Sequence, residues 1–179
     1  MNDLSLHILD VSENCIQAGA KNIEIKVNED LKNDLLTIEI NDDGKGMSEE
    51  MIKQNKDPFI TSRKTRKVGL GIPFLIESAK ICEGDVNISS VIGKGTKVKA
   101  FFKYSHIDRK PIGNIAESLI ALILLSEETD IKYVHSKNGK EFEFDTKDLK
   151  VKLNLKSLKE ASLIIKLKEL INQKILELR

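Results

Sequence analysis

Four short stretches of this chain carry residue types that could do chemistry. Asp10 and Asn14 stand one helical turn apart, so on a helix their carboxylate and amide share a face. A carboxylate can take a proton from an attacking water. An amide oxygen can hold a hydrated magnesium ion, which prefers oxygen ligands and keeps several waters. Asp42-Asp43-Gly44-Lys45-Gly46-Met47 puts a carboxylate and two glycines directly after an alternating segment. Glycines there let backbone approach a ligand closely or take positive φ. Gly69-Leu70-Gly71 opens a predicted helix, whose free N–H groups suit an anion. Arg63, Lys64, Arg66 and Lys67 gather positive charge just before it. Gly93-Lys94-Gly95-Thr96 is the fourth stretch. Taken singly, each also fits a solvated face or a tight turn.

These residues need elements to position them. Residues 4–18 read as a helix closed by Gly19, with Leu4, Ile8, Val11, Cys15 and Ala18 on one apolar stripe. A second stripe, Asp3, His7, Asp10, Asn14 and Gln17, holds no lysine or arginine in a lysine-rich chain. Residues 21–27 and 36–40 alternate in period two and predict a strand hairpin. A short helix over 48–54 follows, capped by Ser48. The next helix runs from Gly71 to about Cys82, with Pro73 in its first turn. Segments 86–90 and 96–103 predict a second hairpin. Beyond it the sequence predicts a helix over 112–125 and strands over 131–135 and 141–144 around Lys137-Asn138-Gly139. A long amphipathic helix starts near Lys156 and is expected to pack on that hairpin. The expected fold is α+β, a two-layer sandwich whose mixed or antiparallel sheet is covered by helices on one face, with a small C-terminal α/β appendage. The expected units are 1–104 and 105–179, split near Pro111.

Composition removes several classes of function. The 179 residues include 29 basic and 28 acidic ones, a net charge of +1. The halves are balanced too, with 14 basic and 12 acidic residues from Ser105 onward and 15 and 16 before it. Bulk charge therefore does not hold this chain to nucleic acid, and with no tryptophan and 4% aromatics it has few platforms for bases. No apolar run is long enough to cross a membrane, and the start is not that of a secretion signal. Two cysteines make no disulfide framework, which points to a reducing cytoplasm. His106 and His135 have no metal-ligand spacing with them. Cys15 reads as core, Cys82 as partly exposed, and His7 as a packing or supporting residue.

The order and spacing of the four stretches are more specific than any one of them. The helix with AspXaaXaaXaaAsn ends in Ala18-Gly19-Ala20 and precedes a hairpin. AspXaaGlyXaaGlyMet, a loop of about twenty residues, GlyXaaGly and GlyXaaGlyThr then follow in turn. Over roughly residues 4–103 this resembles the GHKL superfamily of ATP-binding domains, with their Bergerat-type fold. Ser12 to Ala20 is particularly similar to the MutL-type first motif.

The resemblance implies roles by position. Asn14 becomes the magnesium ligand, and Asp42 accepts a hydrogen bond from the adenine amino group. Gly44, Gly46 and Met47 line the adenine and sugar side. Residues 48–68 become an ATP lid. Gly69, Leu70 and Gly71 hold phosphates at the helix start, and Thr96 supports the adenine site through water. Two departures stand out. Hydrolysing members carry glutamate where this chain has Asp10, one methylene shorter and a weak base at its ordinary pKa of ~3.9. The stretch before Gly69 lacks the usual extra glycines, so Arg63, Lys64 or Lys67 supplies charge for the γ-phosphate.

The resemblance implies a magnesium-dependent ATP-binding protein, a slow ATPase acting as a conformational switch with Asp10 as its base. An anti-sigma-type serine protein kinase and a non-catalytic ATP sensor are the alternatives. A histidine autokinase is disfavoured, because no acceptor-histidine hairpin is seen. A protein partner is expected at the C-terminal region, with homodimerisation left open.

Overall fold

The computed structural model describes residues 2–56 and 71–178. Helix α1 (Leu4–Gln17) starts at Asp3, whose carboxylate accepts from the Leu6 N–H at 3.1 Å. That satisfies one of the donors a helix start leaves open. The helix stops at Gly19, where φ is +79° and the Ala20 N–H turns back to the Cys15 carbonyl at 3.1 Å.

Strands β1 (Asn22–Asp30) and β2 (Leu35–Asp42) form the first antiparallel hairpin. Helices α2 (Glu49–Lys56) and α3 (Gly71–Ile81) follow. Strands β3 (Asp85–Val91) and β4 (Gly95–Lys103) make the second hairpin, and β4 pairs antiparallel with β2. After α4 (Ile115–Leu125), β5 (Asp130–Lys137) lies parallel to β1 and β6 (Lys140–Asp145) antiparallel to β5. The result is one six-stranded mixed sheet in the order β3-β4-β2-β1-β5-β6. Helices α5 (Thr146–Leu153) and α6 (Ala161–Glu177) complete the chain. The expected α+β architecture, helices over a mixed sheet, is the one observed.

Strand alternation decides which face is covered. Ile88, Val98, Ile40, Ile25, Tyr133 and Phe144 lie in register across all six strands on the inner face. Leu4, Ile8 and Val11 of α1, Leu75 and Ala79 of α3 and Leu119 of α4 join them in one apolar cluster. The opposite face carries charge, such as Lys97 Nζ on Glu39 Oε1 at 2.7 Å. The inner face turns polar at both ends. Ser90, Thr96 and Asp42 form the row at one end. At the other, Leu36 and Phe102 lie beside Glu29 and Lys137.

Residues after 104 add two strands to this sheet, and their Tyr133, Phe144 and Leu119 lie in the same apolar cluster as α1. Helix α4 begins at 115, three residues later than the periodicity predicts. Gly113 turns at φ +84° and Asn114 caps the helix by accepting from the Glu117 N–H at 3.1 Å. Helix α5 is a further difference, since its eight residues are too few to show a clear period. Asp145 caps α5 at Lys147 and Asp148, and Asn154 ends it at φ 52°. Helix α6 begins at 161 and packs on α4 as well as β6, through the buried Leu167 and Ile171.

Candidate functional site

The polar row at the first end of the sheet opens into a cavity of about 390 Å³ between α1, β2 and β4. Asp42 is the last residue of β2, on the same face as the buried Leu36, Ile38 and Ile40. Alternation therefore carries a carboxylate onto the apolar side. Its Oδ1 accepts from the Gly44 N–H at 2.8 Å. Thr96 is its register partner on β4. The Thr96 hydroxyl lies 2.9 Å from Ser90 Oγ, which also accepts from the Met47 N–H at 2.7 Å. Ser90 Oγ lies 2.8 Å from the Gly95 carbonyl and donates its single proton there, so Thr96 donates to Ser90. Ser90 thus ties the Met47 backbone to the cavity wall.

Asn14, Asp42, Gly46, Met47 and Thr96 all line this cavity. Gly46 has φ +68°, and a side chain there would collide with the Val91 carbonyl. Asp10, Gly44 and Gly71 stand outside the lining. Gly44 packs against Asp42 and Ala18, and Gly71 against Asp10. Asp10 sits one turn before Asn14 on α1, and burial raises its carboxyl pKa above the usual value. Arg63, Lys64, Lys67, Gly69 and Leu70 lie outside the described residues, as do residues 57–68 of the expected lid.

Several lining residues went unread in the sequence. Val11, Ile72, Val98 and Met51 supply apolar wall, and Lys45 and Gln17 stand at the exposed mouth. Cys15, read as core, is 6% exposed yet also lines the cavity. Burial and then the Asp42 charge push its thiol pKa up, so it stays protonated. Ser90 was readable only through the register of its hairpin with Thr96. The second polar stripe of α1 splits in the structure. Asp3 caps the helix, His7 is fully buried and Gln17 is exposed. Cys82, expected to be partly exposed, is 1% exposed, and its carbonyl accepts from the Lys103 N–H at the end of β4 at 3.0 Å.

The family model described as "Histidine kinase-, DNA gyrase B-, and HSP90-like ATPase" matches residues 2–106, more than half of the chain. The chain belongs to this family. Sensor protein DegM of Bacillus sp. (strain B21-2) is 31% identical over 97 residues, 54% of this chain and 26% of that protein. Sporulation kinase C of Bacillus subtilis (strain 168) is 30% identical over 95 residues, 53% of this chain and 22% of that protein. The chain thus matches about a quarter or less of the length of these relatives. A crystal structure of the N-terminal domain of a DNA repair protein superposes with a TM-score of 0.50 at 14% identity. It covers 82% of this chain and 53% of that one, and at this identity it shows the shared fold alone. ATP binding is therefore the family property of this HATPase domain, and the cavity lies within the matched residues. Among the described residues no helix is long and apolar enough to cross a membrane.

Proposed function

We propose that the cavity between α1, β2 and β4 binds Mg-ATP and that the chain is a slow ATPase, using nucleotide occupancy as a conformational switch. One observation carries this. The Asp42 carboxylate, at the end of an apolar row, faces a cavity of about 390 Å³ that Asn14 and Thr96 also line. With Oδ1 on the Gly44 N–H, Asp42 Oδ2 is the oxygen that accepts the adenine amino group. The bound base would satisfy the second oxygen of this half-buried carboxylate. Met47 and Gly46 border the base and sugar. Gly44 lets the backbone after β2 close against Ala18.

The donor set suits magnesium. Among the described residues no group of three or more carboxylate, imidazole and thiol ligands is assembled. Magnesium keeps waters and phosphate oxygens around it, so a single amide oxygen from Asn14 suffices. Bound there, the ion would neutralise phosphate charge. In this reading the first turn of α3 at Gly71 would meet the phosphates, the role proposed also for Gly69 and Leu70. Arg63, Lys64 or Lys67 contributes positive charge to the γ-phosphate. In hydrolysis a water oxygen attacks the γ-phosphorus and its proton passes to Asp10. The bond to the β–γ bridging oxygen breaks, and ADP leaves with that electron pair. The raised pKa of Asp10 brings it closer to a useful base.

Calorimetry with Mg-ATP tests the binding. Saturable binding that Asp42→Asn weakens tenfold or more supports the reading, and equal binding by wild type and Asp42→Asn overturns it. Free phosphate release lost in Asp10→Ala supports hydrolysis.

A second reading is transfer of the γ-phosphate to a partner protein, as in the anti-sigma-type serine kinases. The similarity to a protein named as a sporulation kinase favours keeping it. Labelled ATP distinguishes the two, since transfer leaves label on protein and hydrolysis leaves it as phosphate. If neither occurs, the chain is an ATP sensor. A partner would meet residues 105–179, where Val151 and Ile165 are 75% and 60% exposed, and a second copy of the chain is one such partner. Two buried free cysteines suit the reducing cytoplasm proposed for the protein.

A further inference from the structure

The chain has three methionines and two cysteines. Cys15, Met47 and Met51 all line the cavity of about 390 Å³ between α1, β2 and β4. These sulfurs differ in access. Cys15 is buried, as is Cys82 elsewhere in the fold. Burial raises both thiol pKa values, which keeps them protonated, and peroxides react with the thiolate. Met47 is half-buried, and its N–H is tied to Ser90 Oγ at 2.7 Å. Met51 is 39% exposed. A thioether has no proton to lose, so access governs its oxidation. Met51 also matters to the cavity. It sits in the first turn of α2, where its N–H meets Ser48 Oγ at 3.3 Å. Met51 and Ile52 are the two apolar residues of α2, and its other six are charged or carry amides. Val11, Ile72 and Val98 line the same space, so the Met51 thioether completes an apolar wall.

We propose that Met51 is an oxidation site, where reaction with hydrogen peroxide weakens ATP binding and a reductase restores it. This rests on the nucleotide reading of the cavity. The thioether sulfur attacks one peroxide oxygen, an S–O bond forms and the O–O bond breaks. The leaving oxygen takes the proton of the transferred hydroxyl and departs as water. The sulfur is oxidised by two electrons and the peroxide is reduced by two. The sulfoxide is polar and chiral where the thioether was apolar, so the base loses part of its apolar cover. A bound nucleotide in turn covers Met51 and slows the reaction.

The test treats the full chain with hydrogen peroxide and reads peptide masses alongside calorimetry with Mg-ATP. Without nucleotide, one oxygen should appear on Met51 ahead of Met47, Cys15 and Cys82, and Mg-ATP should slow its appearance there. The oxidised chain should bind Mg-ATP about tenfold more weakly, the loss of an apolar contact by a methionine side chain. Methionine sulfoxide reductases, one for each epimer, should restore the affinity. Peroxide should leave the affinity of Met51→Leu as it was before treatment, whatever that value is. Met51→Gln, polar at the same place, should bind like the oxidised wild type. The proposal is overturned if Met51 resists peroxide, or if Met51→Leu loses as much affinity to peroxide as wild type does. Equally tight binding by untreated and oxidised chains overturns this proposal alone. No Mg-ATP binding by the untreated chain overturns the nucleotide reading, and this proposal with it.

Discussion

The Cα of Gly71 approaches Asp10 so closely that a Cβ on Gly71 would lie 2.8 Å from the Cβ of Asp10. The first residue of α3 thus rests on the middle of α1, against Asp10 and Val11. Gly71→Ala must push α3 away from Asp10. It should destabilise the fold by about 1–3 kcal/mol, as overpacking does, read from urea unfolding. ATP hydrolysis should fall further than ATP binding, since the proposed adenine contact is at Asp42 on β2 and the proposed base is Asp10 beside Gly71.

Asp42→Asn keeps the shape and can still accept from the Gly44 N–H. It loses the charge and replaces one acceptor with an amide. ATP affinity should fall by about 1.5–3 kcal/mol, roughly ten- to a hundredfold, by calorimetry. The melting temperature without nucleotide should barely change.

Asp10 should set the rate and its pH dependence. Asp10→Ala should abolish phosphate release, and Asp10→Glu should raise it by restoring the longer reach. The acting form is the carboxylate, so the rate should rise with pH through a midpoint above the ordinary aspartate value. A raised folded-state pKa favours the protonated fold. Its contribution is full below the unfolded pKa and is lost as pH rises through the folded one. At neutral pH, therefore, Asp10→Asn should melt slightly higher than wild type.

Acid unfolding should depend on Glu29, at the far end of β1. Burial pushes the Glu29 carboxyl pKa up, but hydrogen bonds from His135, Lys137 and Tyr104 outweigh that and bring it down to about 2. His135 Nε2 lies at 3.0 Å, Lys137 Nζ at 3.0 Å and Tyr104 Oη at 2.9 Å from its oxygens. A depressed carboxylate pKa stabilises the fold above the unfolded value of ~4.3, and that gain is lost as pH falls through the folded one. Glu29→Gln should cost about 2–3 kcal/mol at neutral pH by breaking a buried charged network. It should also flatten the fall in stability between about pH 4.5 and about 2.

Thr96→Val should free Ser90 Oγ and loosen its hold on Met47. Stability should fall by about 1 kcal/mol, and ATP affinity should fall less than in Asp42→Asn.

Local periodicity by itself placed much of this protein. Helical spacing put Asp10 and Asn14 on one face of α1. Period-two alternation put Asp42 in line with Leu36, Ile38 and Ile40, so a carboxylate at the end of an apolar row was visible before any fold was known. The same alternation in β1 carries Glu29 inward after Ile23, Ile25 and Val27. These features depend only on neighbours along the chain. What the tertiary structure alone decided are the partners across it. Thr96 faces Asp42 because β4 chose β2 as its neighbour, a pairing set by burial over the whole sheet. His135 and Lys137 reach Glu29 because β5 runs parallel to β1. Strands pair through backbone groups that every residue carries, so no short motif names the partner. The close approach of Gly71 to Asp10 has the same origin. A glycine's missing side chain becomes meaningful only when packing brings another helix against it.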